Sequence, residues 1–213
     1  MTQMSFKGLR FLTACLFMSV LAACSSSSSR YEEYPTSYQS ASFSESANAC
    51  SLSQRSRIRL RAPRIRFIST YNPLGHAPNV EHELLVVPEQ LIHKWAENRF
   101  DVNKNASDAA EVRFTIRDAG ITSRSRVVGS CFKEIKEEYI GRFEVEIQFV
   151  SADGNALVTA KKAVQIVDLT DPNLSAEERE NELMLLSYRL VKKLSQELDT
   201  DLCSPSFNDY IDR

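Results

Sequence analysis

Apolar and polar positions alternate most regularly between Tyr139 and Ile166. There Phe143, Val145, Ile147 and Phe149 share one face, while Arg142, Glu144, Glu146 and Gln148 share the other. A period of two is that of a half-buried strand. Asp153-Gly154 supplies a turn, and Val158, Ala160, Val164 and Ile166 bring the chain back, so the stretch predicts a long antiparallel hairpin. The same alternation in Val112, Phe114 and Ile116, against Arg113, Thr115 and Arg117, predicts a strand continuing toward Ile121. Upstream, Ile58, Leu60, Ile65 and Phe67 alternate with arginines around a break at Pro63 and read as one further half-buried strand.

Helical spacing replaces alternation in two places. Pro88 suits a first turn, and Leu91, Ile92, Trp95, Ala96 and Arg99 recur on one face until Asp101. Ser175 followed by Glu178 forms a capping box for a closing helix whose face is Leu183, Leu186, Leu190, Leu194 and Leu198, ending near Asp201. Between the first strand and the first helix, Asn72, Pro73, Gly75, Pro78 and Asn79 mark a loop over residues 69–81. The order strand, helix, strand, hairpin, helix predicts an α+β fold: a mainly antiparallel sheet with two amphipathic helices packed on one face. That fold occupies a single domain over residues 57–203, with a polar tail over 204–213.

The amino terminus has a different pattern. Lys7 and Arg10 precede an apolar run from Phe11 to Ala23, the order of a secretory signal. The run has 13 residues, short of the roughly 20 that span a bilayer. Leu21-Ala22-Ala23-Cys24 resembles the lipobox of bacterial lipoproteins, which implies residues 1–23 as signal peptide and a lipidated Cys24 opening the mature chain. Two or three acyl chains hold a protein on a membrane at roughly 0.8 kcal/mol per buried CH₂. Ser25 stands where inner-membrane retention would place an aspartate, which favours the outer membrane, facing the periplasm. Residues 24–56 then form the lipidated cysteine and a flexible serine-rich tether. Its 32 residues after Cys24 span roughly 30 Å as a flexible chain.

Charge and cysteine content narrow the classes further. Loss of Lys7 and Arg10 leaves 24 basic against 28 acidic residues, so no field for nucleic acid develops. Cys15 departs with the signal and Cys24 is assigned to lipid, leaving Cys50, Cys131 and Cys203 in an oxidising compartment. Three thiols permit one bridge. Cys131 with Cys203 is favoured because Cys50 lies in the tether, while pairings through Cys50 stay open.

Chemistry-bearing motifs are sparse. Ser130 lacks the second glycine of a nucleophile elbow, and Val86 stands where a zincin after His82-Glu83 needs its second histidine. The reading is therefore of a protein without enzyme activity, metal or cofactor. Arg57, Arg59, Arg61, Arg64 and Arg66 form a basic row able to meet anionic headgroups, although charge that protects an edge strand explains the row more simply.

Several segments carry a resemblance: Pro78-Asn79-Val80-Glu81-His82, Pro88 through Trp95-Ala96-Glu97-Asn98-Arg99, Arg113–Ile121 around Asp118-Ala119, Tyr139-Ile140-Gly141-Arg142 and Glu177-Glu178-Arg179-Glu180. Over about residues 60–201 the chain resembles a group of Gram-negative lipoproteins with no assigned activity. Its architecture is more loosely similar to auxiliary lipoproteins of ABC-type lipid transport systems. That likeness implies a non-catalytic accessory subunit, with a membrane contact through Cys24 and an envelope protein as partner. The alternatives are a lipid or lipopolysaccharide headgroup binder and, third, an envelope hydrolase.

Overall fold

Pro63 divides what the alternation presents as one strand. The computed structural model describes Leu52 and residues 57–212, and in it β1 (Ile58–Leu60) and β2 (Ile65–Ser69) belong to different sheets. Proline has no N–H to extend a ladder. The chain turns there, and the Arg61 N–H donates to the Tyr210 carbonyl at 2.8 Å. The single strand expected over 57–67 is thus two strands, and the arginines alternating with it are divided between them.

After β2 the chain runs through a loop and a short 3-10 turn (Glu81–Glu83) into α1 (Pro88–Arg99), β3 (Phe100–Val102) and β4 (Glu111–Val128). Next come β5 (Glu134–Val150), β6 (Ala156–Thr170), α2 (Ala176–Leu202) and β7 (Ile211–Asp212). The main sheet has the order β2-β4-β5-β6, parallel at β2–β4 and antiparallel elsewhere. A small sheet, β3-β1-β7, joins the two ends of the domain to the strand that follows α1. The fold is α+β, as the pattern of elements predicts. All described residues fall within one compact unit, Glu45–Arg213.

The tail is not a polar appendage. Phe207 and Ile211 are buried, and Phe149 meets the rings of Phe207 and Tyr210 at centroid distances of 6.1 and 5.0 Å. Aromatic burial at the end of β5 draws the last residues onto β1, where Leu60 faces Ile211.

In β4 the apolar positions change parity, from Val112, Phe114 and Ile116 to Ala119 and Ile121, all buried. A register shift between Ile116 and Asp118 resolves the mismatch. One extra residue in one strand re-aims everything after it, so both sets face the helices.

α2 begins at the expected capping box, with the Ser175 hydroxyl accepting from the Glu178 N–H at 3.3 Å and the Glu178 carboxylate accepting from the Ser175 N–H at 2.9 Å. The helix lies along β6, fastened by Lys162–Asp201 at 3.1 Å and by Arg189–Asp168. It also presses on β5 at Gly141, where a Cβ would sit 2.4 Å from Leu190 Cδ1. Only glycine admits that approach without displacing the leucine.

Candidate functional site

Each arginine of the basic row meets an acceptor from its own chain. Arg57 donates to the carbonyls of Asn98 and Glu97, at 3.1 and 3.2 Å, and so closes the carboxyl end of α1. Arg59 approaches Asp101 at 3.8 Å, while Arg61 reaches Asp108 at 3.0 Å and Asp212 at 3.9 Å. Arg64 and Arg66 converge on the buried Glu111, at 3.1 and 3.4 Å, and Arg113 meets its other oxygen at 2.7 Å. The row therefore ties loops and sheet edges together: Arg59, Arg61, Arg64 and Arg66 meet carboxylates, and Arg57 meets helix carbonyls.

The sheet face away from the helices is a lattice of ions. Glu138 receives Arg124 and Arg126, Glu144 receives Arg142 and Lys161 at 2.7 and 2.8 Å, and Glu146 receives Arg117 at 2.7 Å. Glu138 and Glu146 are buried although no helix covers them, because long arginine stems lie over the carboxylates while their guanidinium groups stay wet. Hydrogen bonds from the flanking cations hold Glu138 and Glu144 below the ordinary carboxylate range.

Beyond that lattice β4 and β5 continue alone. β6 follows β5 only as far as Glu137, and the loop before α1 bonds β4 only as far as Ser123, where Ser123 N–H meets the Pro78 carbonyl at 2.8 Å. Residues 124–136 thus form a two-stranded arm, rooted by Arg124 and Arg126 on Glu138. Val127 faces Ile135 across the ribbon, and both are exposed; Phe132 in the turn is 86 % exposed. The alternation in the sequence predicts this strand through Ile121, and the arm lies beyond it. Serine and arginine at alternate positions over 123–126 are the signal that β structure continues.

Cys131 lies in the same turn, exposed and free. Cys203 is disulfide-bonded. The bridge between Cys131 and Cys203 is therefore not formed: Cys131 stands in the distal turn of the arm, whereas Cys203 caps the carboxyl end of α2 beside Asp199. Cys24 and Cys50 lie outside the described residues.

The three histidines and Ser130 do not converge. His93 packs on the Phe67 ring at 4.7 Å and lies 3.6 Å from Glu97, while His76 and His82 are exposed. The Ser130 hydroxyl donates to the Cys131 sulfur at 3.9 Å. Trp95 packs against the core, edge-on to Phe100 and Phe114. Among the described residues no three metal-ligating side chains converge, and no helix is long and apolar enough to cross a membrane.

The loop before α1 holds the most unusual polar group. Glu81 is 2 % exposed; its Oε1 accepts from the Tyr71 hydroxyl and from Asn79 Nδ2, the latter at 2.9 Å. Its Oε2 is buried and has no hydrogen-bond partner. Burial, then the bond to Glu81, raises the Tyr71 phenol well above its ordinary value, so it remains a donor. Loop punctuation marks this region in the sequence, but nothing there marks Glu81 as buried.

The chain is similar to three solved structures. One is a minor lipoprotein from Acinetobacter baumannii, at 10 % identity over 70 % of this chain and 95 % of that one, with a TM-score of 0.33. Another is rare lipoprotein B from Shewanella oneidensis, at 14 % identity over 65 % and 95 %, with a TM-score of 0.36. The third is an uncharacterized lipoprotein B from Nitrosomonas europaea, at 15 % identity over 70 % and 88 %, with a TM-score of 0.37. All three are lipoproteins of proteobacteria. No protein-family model and no curated protein matches the chain.

Proposed function

We propose that this protein is a lipid-anchored lipoprotein of the bacterial envelope, facing the periplasm from the outer membrane. In this reading it acts as a non-catalytic interaction subunit of an envelope transport or assembly system. The observation that carries the reading is the arm of β4 and β5, which leaves the sheet and ends with Val127, Phe132 and Ile135 in solvent. A bare two-stranded ribbon is marginal on its own, and clustered apolar side chains at its tip are the kind of surface a protein partner covers. The anchor at Cys24 supplies location, and the tether lets the domain reach a partner away from the headgroups.

Binding of lipid or lipopolysaccharide headgroups through Arg57, Arg59, Arg61, Arg64 and Arg66 draws less support. Each of those cations already has an intramolecular acceptor.

Cys131 offers a direct test because it is exposed and sits beside Phe132. Membranes containing the full-length lipoprotein, labelled at Cys131 with a maleimide photocrosslinker, should yield one defined protein adduct that disappears in a Phe132→Asp variant. No adduct, or the same adducts from both proteins, overturns the interaction reading. Separately, Cys24→Ser should release the protein from the membrane fraction, and a variant that still pellets with membranes contradicts the anchor.

A further inference from the structure

The outer edge of β4 is covered first by β2 and then by the loop before α1. There the Val80 N–H donates to the Ile121 carbonyl at 3.0 Å, and the Ser123 N–H donates to the Pro78 carbonyl at 2.8 Å. The loop lies antiparallel to β4 at this point, so the chain already adds a short stretch of itself to the edge. Beyond Ser123 the loop turns away, with the Asn79 N–H on the His76 carbonyl at 3.0 Å. β4 runs on to Val128.

In an antiparallel ribbon successive residues aim their N–H and C=O groups at opposite edges. The register with β5 is unbroken from Asp118 to Val128, so the positions in line with Ile121 and Ser123 are Ser125 and Val127. Both are exposed, and among the described residues neither has a backbone partner on that edge. The arm's other edge offers less, since within β5 only Ile135 lies outward before Glu137, which Thr170 already faces. Charge then selects the occupant. Arg124 and Arg126 share the single carboxylate of Glu138, and their side chains stay 65 % and 53 % exposed. Lys136, opposite Arg126, is answered by Glu134 at 3.4 Å, so one positive charge is left over. A second copy using both Ser125 and Val127 would set Arg126 against its own equivalent, and like charges placed directly opposite destabilise a pair.

We propose that the open edge of β4 at Ser125 and Val127 takes up an extended segment of the partner protein as an added antiparallel strand. The segment places acidic side chains opposite Arg124 and Arg126 and apolar ones opposite Ser125 and Val127. Strand addition draws affinity from main-chain bonds and specificity from alternate side chains. The cations that repel another copy admit an acidic strand, and the apolar side chains of that strand lie beside Val127 on the face that carries Ile135.

The full-length lipoprotein in a non-ionic detergent is titrated into a short fluorescent peptide that alternates valine with glutamate, and anisotropy reads the binding. Saturable binding is expected, at least tenfold weaker when lysine replaces glutamate. Methylating the valine amides, which face β4, must abolish it, whereas methylating the glutamate amides, which face solvent, must not. Ser125→Pro removes an outward N–H and spares the ladder to β5, so binding should fall at least tenfold, while Ser125→Ala binds as wild type. Should Ser125→Pro fail to fold, the methylated peptides decide, because they leave the protein untouched. No saturable binding, equal binding of the lysine peptide, or binding that survives methylation of the valine amides overturns the proposal. The inference rests on the docking reading of the arm, and the two fail separately. A Cys131 adduct lost in Phe132→Asp but retained in Ser125→Pro overturns strand addition and keeps the docking reading. Peptide binding without any such adduct upholds the edge and removes the docking reading.

Discussion

Arg99 and Asp199 meet at 2.7 Å, one hundred residues apart in the chain and both nearly withdrawn from solvent. The pair joins the last turn of α1 to the last turns of α2. The same Arg99 guanidinium donates to the Leu52 carbonyl at 2.8 Å, so the entry of the chain into the domain is held at this junction too. Removing one partner of a buried pair leaves the other charge desolvated and alone. Asp199→Ala should therefore lower the unfolding free energy by about 3–5 kcal/mol in urea titrations, and replacing both residues by leucine should recover most of that loss.

At Gly141 the constraint is steric. An added methyl would collide with Leu190 Cδ1 at 2.4 Å and push α2 off the sheet. Gly141→Ala is expected to destabilise by about 1–3 kcal/mol, the range for overpacking a dense core. In a Leu190→Ala background the penalty should shrink, because the atom it meets is gone; a double-mutant cycle by chemical denaturation reads the coupling.

Acid should weaken the sheet's outer face. Glu111, Glu138 and Glu144 are all lowered from the ordinary 4.5, chiefly by hydrogen bonds from Arg113, from Arg124 with Arg126, and from Lys161 with Arg142. A folded-state value below the unfolded one gives stabilisation that is complete above the unfolded value and lost as pH falls through the folded one. Unfolding free energy should stay flat from neutral pH to about 5 and then decline. Arg124→Gln with Arg126→Gln should make that decline shallower in urea titrations across the same range.

Phe132 touches no core. Phe132→Asp should leave unfolding free energy within about 0.5 kcal/mol of wild type, which separates lost docking from lost folding. A cooperative melt at an unchanged temperature is the check.

Cys203 is bonded and Cys131 is not. On the proposal that Cys15 leaves with a signal and Cys24 carries lipid, Cys50 is the partner we predict. Peptide mapping without reduction should recover Cys203 linked to Cys50, with Cys131 alkylated. Reduction should lower stability by about 2–5 kcal/mol.

Much of the fold is carried by interactions between near neighbours and is legible in the chain. The capping box at Ser175 and Glu178, the Asp153-Gly154 turn with Gly154 at a φ of +84°, and Pro88 opening α1 are each satisfied within a few residues. Binary alternation then assigns β5 and β6 their faces. Even the bulge is written in β4, as two residues rather than one between Ile116 and Ala119, once both are known to be buried.

By itself, then, the sequence determined the element types, the buried faces and the α+β class, because periodicity and capping act over single turns and strand pairs. Only the tertiary structure decided which sheet each half of the arginine row joins, that Ile211 completes a second sheet while Phe207 is buried beside it, that Cys131 stays unpaired, and that Glu81 is enclosed beside a cavity. Those outcomes depend on contacts between residues that lie far apart in the chain, such as Arg61 with Asp108 and Leu60 with Ile211. A charge read along one strand does not reveal whether a carboxylate dozens of residues away will neutralise it. Desolvation is set by what packs around a group in space, and the order of residues along the chain leaves that unspecified.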